Sequence, residues 1–411
     1  MAFDFEKALR RRIEQHDELV ELKNRRVRDD SGVFERWQRP VLTAAHAPLF
    51  WRYDLDRRRN PFLLERLGVN AVAGAGAVER NGRICLVARV EGKDRKSFFA
   101  VAESDNGVDN FRFWDHPVDL PQTDDPDTTV YDVRLTRHED GWIYGVFVSE
   151  RKDPLAPAGD SSRAVARTGI ARTRDLVKWE RLPDLRSRAA GLPCVVLHPE
   201  LVSGRYAFYT RAQHGFAEAT GAVAEEMAGA SGIGFALCEN IEQAEIAEEK
   251  LVDARGYQTF KEARNGAGAP PLKTAKGWLH VAQGTRTSAA GLRSVLYAFL
   301  CDLEDPSRVT AVPAGYLLTP DADEGSGDVP GALCCTGAVL RPTGEVLLYY
   351  ASADSHTRVA TTSVERLLDY VLNTPADALR SHASVAQRVT LIERNLKLLA
   401  RTKGKAYRGL R

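Results

Sequence analysis

Cysteine is scarce in this chain of 411 residues, and the six present never adopt the C-x-x-C spacing that a zinc or thiol redox site needs. Cys334 and Cys335 are adjacent but sit in an apolar stretch, so the cysteines read as small core residues. The nine histidines are equally dispersed, with no H-x-H or H-x-x-x-H among them, and no Cys/His metal site is expected. A run of about 18 apolar residues is also missing, so no segment is expected to span a membrane. Net charge is nearly absent: 57 basic residues against 56 acidic ones leave +1. No global field therefore draws the chain to nucleic acid. There is no phosphate-cradling P-loop. Gly74-Ala75-Gly76 follows an apolar run, but no helical pattern comes after it, which excludes a dinucleotide fingerprint. The opening residues Met1-Ala2-Phe3-Asp4-Phe5-Glu6 lack the basic and then apolar layout of a secretion signal. With so few cysteines, this points to a reducing cytoplasm.

What is present is ordinary globular composition, 44% apolar and 27% charged, arranged in short alternating runs. Phe5, Leu9, Ile13, Val20 and Leu22 step by helical spacings and predict an N-terminal amphipathic helix. From about residue 68 to about 360 the pattern changes to strands bounded by Gly, Asp and Asn, as in Ile84–Val90, Trp142–Val148 and Val346–Tyr350. Long helices do not alternate with them, which argues against a parallel α/β sheet. A local order of strand, polar turn and aromatic or apolar strand recurs at Phe99–Ser104, Gly169–Thr173, Ile233–Leu237, Val295–Leu300 and Arg358–Thr361. Five copies at a spacing of roughly 60 to 70 residues predict an all-β fold, a five-bladed β-propeller with N- and C-terminal helical extensions. A plain β-sandwich with coincidental spacing is the alternative. The expected domains are an N-terminal helical extension (1–30), the propeller (31–361), and C-terminal helices with a basic tail (362–411). Thr362-Ser363-Val364-Glu365 reads as a capping box opening a helix that Pro375 stops. Beyond it, Val385, Val389, Ile392, Leu396 and Leu399 form an apolar seam suited to the propeller's own surface or to another subunit. Lys403, Lys405, Arg408 and Arg411 mark a solvated tail.

Three stretches carry more charge than a strand edge needs. Arg89–Ser97 packs six charges and a serine into nine positions. Tyr131–Thr136 places Asp132 and Arg134 two apart, on one face of a strand. Phe260–Gly266 runs into Gly268–Lys273. Taken singly, each is most simply a solvated face. Recurring at corresponding points of different repeats, they suggest loops converging at one end of an axis, and carboxylates ringed by Arg, Lys and aromatics suit sugar chemistry.

Those stretches resemble glycoside hydrolase family 130, and within it the subgroup of mannosyl-glucose phosphorylases. The similarity runs from about Pro40 to Val371 and is carried by Pro40–His46, Phe50–Leu55, Val87–Gly92, Asp94–Ser104, Tyr131–Thr136 and Gly277–His280. The resemblance implies a five-bladed propeller that often oligomerises, here through its terminal helices, and a small carbohydrate substrate with no metal or organic cofactor. It implies that Asp132 is a general acid, protonating the glycosidic oxygen through a sugar hydroxyl while inorganic phosphate attacks from the opposite face with inversion. A mannosyl-glucose-like disaccharide would yield mannose 1-phosphate. Phosphate contacts carry over to Arg172 and Arg264, with Gln283 where the family has His and Lys273 as a further cation. Sugar contacts carry over to Arg89, Glu91, Asp94, Arg95, Lys96, Ser104, Tyr131, Arg134, Asp328 and His356. The chain departs from the pattern at Pro193, where a cation is usual, and at Gly74 and Gly331–Gly337. His356 and Arg358 stand in swapped order. An altered phosphate site also fits an inverting hydrolase or transglycosidase using water or another acceptor, with Glu262, Glu200 or Glu91 as base. A third reading is a propeller that binds carbohydrate without turning it over.

Overall fold

The computed structural model describes the chain except residues 1–2, 30, 161, 188–193, 214–230, 247–248, 290, 322–323, 325–326 and 402–411. Pro193 and the tail residues Lys403, Lys405, Arg408 and Arg411 lie outside the described residues. The chain opens with helix α1 (Phe5–Glu21), capped where the Asp4 side chain accepts from the Lys7 amide, then β1 (Arg26–Arg28), β2 (Glu35–Trp37) and the short α2 (Leu49–Arg52). Antiparallel meanders follow. The first is β3 (Val69–Arg80), β4 (Arg83–Gly92), β5 (Ser97–Ser104) and β6 (Arg112–Phe113). Its first hairpin turns on Asn81-Gly82, both at positive φ (52° and 76°), the geometry that matches strand twist and that Asn-Gly adopts most readily.

The second meander is β7 (Thr129–Arg137), β8 (Ile143–Lys152), β9 (Ala164–Thr173) and β10 (Trp179–Leu182). The third is β11 (Val196–Leu197), β12 (Tyr206–Gln213), β13 (Ser231–Cys238) and β14 (Glu249–Ala254). In the next sheet β15 (Arg264–Ala267) and β16 (Leu272–Thr274) both pair with β17 (Gly277–Ser288), followed by β18 (Gly291–Cys301) and β19 (Val309–Ala311). The last group is β20 (Leu333–Leu340), β21 (Glu345–Ser352) and β22 (His356–Ser363), and its outer neighbour is the N-terminal β2, paired antiparallel to β22. A single parallel pairing, His356 with Val72, joins this group to the first meander as one nine-stranded sheet. The fold is therefore mostly β-sheet with few helices. The recurring segments seen in the sequence fall on β5, β9, β13, β18 and β22, which occupy equivalent places in their meanders.

Apolar clusters lie between consecutive meanders. Val87, Phe99 and Val101 meet Val133, Leu135 and Phe147 across the first interface. Tyr144, Val146 and Ile170 meet Leu197, Phe208 and Ala236 across the second. Tyr209 and Phe235 meet Trp278, Tyr297 and Phe299 across the third. Leu279, Val281 and Leu296 meet Leu333, Leu348 and Tyr350 across the next. Val72, Ala75 and Leu86 meet Leu347, Tyr349 and Val359 to return to the start.

Helix α3 (Val364–Asn373) takes Ser363 as its N-cap, accepting from the Arg366 amide. The capping box expected from Thr362 to Glu365 is thus displaced by one residue, and Glu365 serves as an acid in the first turn. Leu367 and Val371 bury one face of α3 against the last interface cluster. Helix α4 (Ser381–Arg401) does not follow: Val385, Val389, Ile392 and Leu396 are all exposed. Among the described residues no helix is long and apolar enough to cross a membrane.

Candidate active site

Strand ends from the meanders line a cavity of about 590 Å³. β4 and the turn after it supply Arg89, Glu91, Arg95 and Lys96, and β7 supplies Tyr131 and Asp132. β12 supplies Arg211, while β15 and β17 supply Arg264, Asn265, Gln283 and Thr285. Cys334 and Asp354 enter from the last meander.

Asp132 reaches the cavity because β7 bulges there: the register shifts between Tyr131 and Arg134, and Asp132 itself sits at φ 56°. A bulge re-aims one side chain at the cost of regular alternation. The expected sharing of one strand face by Asp132 and Arg134 therefore does not hold. Arg134 turns inward and is 1% exposed, donating to the carbonyls of Asp132 (2.7 Å) and Gly268 (2.8 Å). It braces the bulge from below the cavity. Gly74 is in the left-handed region at φ 64°, and a Cβ there would meet Asp132 Oδ1 at 3.3 Å. That departure from the family pattern lies against the carboxyl itself.

The carboxylates of the cavity are mostly engaged. Arg89 Nη2 lies 3.5 Å from Glu91 and 3.1 Å from Asp354. Glu91 accepts from Asn70 (3.0 Å) and Arg95 (3.3 Å). Glu150 accepts from the Tyr131 hydroxyl at 2.7 Å, and burial together with that carboxylate pushes the Tyr131 phenol well above its usual range. Two cations differ. Neither Arg211 nor Arg264 has a carboxylate partner among the described residues. Burial, reinforced by the neighbouring charges of Arg264 and Arg255, holds the Arg211 guanidinium below its usual pKa. A cation so placed lacks an anion. Beside them, Gln283 donates to Ser294 (3.3 Å), and the Asn265 amide is pinned to Asp253 and Tyr297, leaving its Oδ1 buried without a partner among the described residues.

Of the residues singled out in the sequence, the structure brings Asp132, Tyr131, Arg89, Glu91, Arg95, Lys96, Arg264 and Gln283 together. Asp328 sits at the rim, accepting from Asn70 at 3.0 Å and 3.9 Å from Arg95. His356 lies one residue past the turn that carries Asp354, and burial and Arg358 lower its pKa. The others stand apart from the cavity. Arg172 pairs with Glu180 (2.8 Å) and Glu242 (2.6 Å) and stacks on Trp142. Lys273 is held by both oxygens of Glu200 (2.6 and 2.8 Å). Ser104 is buried at the opposite end of β5, bonded within the Asn106–Asp109 turn. Asp94 caps the β4–β5 turn by accepting from the Lys96 amide. Glu262, like Glu200, does not line the cavity, so of the proposed bases only Glu91 does. Sequence reasoning missed Arg211, Glu150, Asn265 and Asp354. Asn265 stood within the charged stretch Phe260–Gly266 and Arg211 just past the apolar run Tyr206–Tyr209, whereas Glu150 and Asp354 gave no such signal.

Comparison with known proteins identifies the family of the chain. Residues 235–373 match the glycoside hydrolase family 130 model, described as beta-1,4-mannooligosaccharide phosphorylase. The chain is 53% identical over 384 residues to the 4-O-beta-D-mannosyl-D-glucose phosphorylase of Bacteroides fragilis, covering 93% of this chain and 96% of that protein. It is 27% identical over 305 residues to the 1,2-beta-oligomannan phosphorylase of Thermoanaerobacter sp., covering 71% of this chain and 89% of the relative. Among solved structures, beta-1,2-mannobiose phosphorylase from Listeria innocua shares the fold, with a TM-score of 0.61 at 18% identity over 75% of this chain and 94% of that one.

Proposed function

The chain belongs to glycoside hydrolase family 130, and we propose that it is an inverting phosphorylase that cleaves a mannosyl-glucose-like β-mannoside into mannose 1-phosphate and a free sugar. Asp132 gives up its carboxyl proton, through a hydroxyl of the mannosyl unit, to the glycosidic oxygen as the C1–O bond breaks. A phosphate oxygen forms the new bond to C1 from the opposite face, inverting the anomeric centre. Phosphate arrives as an anion already able to attack, so a single acid suffices, and the site's remaining need is cationic donors. The observation that carries this reading is the pair of guanidiniums, Arg211 and Arg264, without carboxylates of their own in the cavity that holds Asp132. Phosphate is thus assigned to Arg211 and Arg264 with Gln283 and Thr285, in place of Arg172 and Lys273, which local carboxylates already neutralise. Phosphate is the co-substrate, and the reaction so written calls for no metal or organic cofactor.

The same reading takes the meanders as five blades of a propeller, the last completed by β2. Support comes from the cyclic sequence of interface clusters and from the shared fold of the Listeria structure. It takes 1–30 and 362–411 as extensions of that propeller, and the exposed seam of α4 as the contact between subunits of a homo-oligomer. Six free thiols suit a cytoplasmic enzyme. The test is incubation of mannosyl-glucose with and without inorganic phosphate. Mannose 1-phosphate formed only with phosphate is the expected result. Free mannose released equally well without phosphate would establish hydrolysis instead, and sugar binding without turnover would establish a binding protein.

A further inference from the structure

We propose that Cys194 and Cys334 are a thiol pair that hydrogen peroxide closes into a disulfide across the floor of the cavity, a modification site separate from the reaction itself. Exposure is the first observation. The expectation that cysteines fill the core holds for Cys85, Cys238, Cys301 and Cys335, which are buried, whereas Cys194 and Cys334 are partly exposed. Both line the cavity that holds Asp132. Thiol oxidation selects accessible sulfur beside positive charge, so these two stand apart from the core cysteines. Cys335 points the other way, as successive strand residues do. It is buried with Leu333, Leu348 and Tyr350, and its thiol donates to the Gly337 carbonyl at 3.5 Å.

The second observation is nearness. Gly266 and Gly268 are two residues apart, about 7 Å along an extended chain. A Cβ on Gly266 would meet the Cys194 Cβ at 3.0 Å and its Sγ at 3.2 Å, and one on Gly268 would meet the Cys335 carbonyl oxygen at 2.8 Å. The two glycines thus let the Cys194 side chain and the backbone beside Cys334 close on one short segment. Arg134 joins them: its Nε donates to the Gly268 carbonyl at 2.8 Å and its Nη2 to the Cys334 Sγ at 3.9 Å. Burial lowers the Arg134 pKa, yet the charges of Cys194, Cys334 and Asp132 together lift it above its usual value. A guanidinium facing two sulfurs favours their thiolate forms. Cys194 is also held at φ 71°, a left-handed conformation that non-glycine residues keep mainly where function or packing imposes it.

The two sulfurs differ in role. Burial and the charge of Asp132 push the Cys334 thiol well above its usual range, with Arg134 opposing, so Cys334 rests as S–H. Cys194 lies instead beside Arg211, whose positive charge it favours, and the attack is assigned to it. The Cys194 thiolate takes one peroxide oxygen: an S–O bond forms, the O–O bond breaks, and hydroxide leaves to join the proton that Cys194 gave up. The Cys334 sulfur then displaces the oxygen of the sulfenic acid: the S–S bond forms, the S–O bond breaks, and the Cys334 proton departs in a second water. Two thiols and one peroxide thus become one disulfide and two waters, and a dithiol reverses the change. The bridge ties the cationic side of the cavity, at Arg211, to the acid side, at Asp132, and occupies the space between them.

The test treats the full chain with hydrogen peroxide and reads its free thiols, its mass and its rate. Alkylation of the folded protein with iodoacetamide should label Cys194 and Cys334 before treatment and neither after it. The treated mass should fall by two hydrogens, and digestion should yield peptides joined through Cys194 and Cys334. Turnover of mannosyl-glucose should fall in proportion to the joined fraction, and dithiothreitol should restore both mass and rate. Cys194→Ser and Cys334→Ser, each compared with its own untreated rate, should form no bridge, and Cys334→Ser should stop at the gain of one oxygen. Oxygen gained by the wild type without joined peptides would overturn the proposal. So would a joined pair that leaves turnover undiminished, or an inactivation equally deep in both variants. The mass and peptide readouts need no turnover, so they decide the pair even where the phosphorolysis reading fails.

Discussion

Asp132 owes its position to three neighbours that do no chemistry: the bulge of β7, Arg134 beneath it and Gly74 against it. Asp132→Asn preserves that geometry while removing the proton, so kcat is expected to fall by roughly 10²- to 10⁴-fold with KM for the disaccharide nearly unchanged. Initial rates by phosphate-dependent release of mannose 1-phosphate check it. A rate loss confined to KM would count against Asp132 as the acid. A cation of the cavity and one that the sequence offered for phosphate separate in the same assay. Arg211→Met should raise KM for phosphate by roughly tenfold or more, the loss of a charged hydrogen bond of about 1.5–3 kcal/mol. Lys273→Met should leave it unchanged, because Lys273 already answers Glu200. At this scale the sequence singled out Asp132 and much of the cavity wall from β4, since Arg89, Glu91, Arg95 and Lys96 sit within one short stretch. It could not show which cations are already neutralised. Arg172 and Lys273 look like ligands until Glu180, Glu242 and Glu200 are placed beside them. Arg211, Glu150 and Asp354 come from distant strands and a turn, and only folding assembles them.

Strands were readable because their apolar alternation and Asn-Gly-type turns are local signals. The partner of β2 was not, because pairing Glu35 with Thr361 closes a span that no local pattern encodes. That pairing is secured by a buried cluster. Arg36 of β2 donates to Glu324 at 2.6 Å and to the Thr319 carbonyl at 2.6 Å, while the Tyr350 hydroxyl donates to Glu324 at 2.7 Å. Arg36 and Glu324 are only 9% and 2% exposed. Removing one partner strands a buried charge, so Glu324→Ala is expected to cost about 3–5 kcal/mol. Chemical denaturation measures it, and a loss below about 1 kcal/mol would show that β2 is held by other means. The seam of α4 was equally plain in sequence, but its spacing could not say what covers it, and among the described residues the meanders do not.

Across the whole molecule, three deeply buried histidines contribute to the response to acid. His46, His198 and His280 are buried, and burial lowers their pKa values to about 4, about 4 and about 3. Between the ordinary histidine value of 6.5 and those figures, the unfolded chain binds protons that the folded chain refuses. Stability is therefore unaffected by these groups above about pH 6.5, and it falls with acidification below it, by about 1.4 kcal/mol per pH unit for each histidine. Thermal melts from pH 7.5 down to pH 4.5 should show a progressive drop in Tm, and a flat profile would contradict their burial as neutral rings. The place of β2 has a different consequence, for biogenesis. Residues 35–37 leave the ribosome long before their mate at 356–363 is made. The nascent chain must carry β2 without this mate until the far strand emerges, and a product ending before His356 would leave that edge of β2 bare.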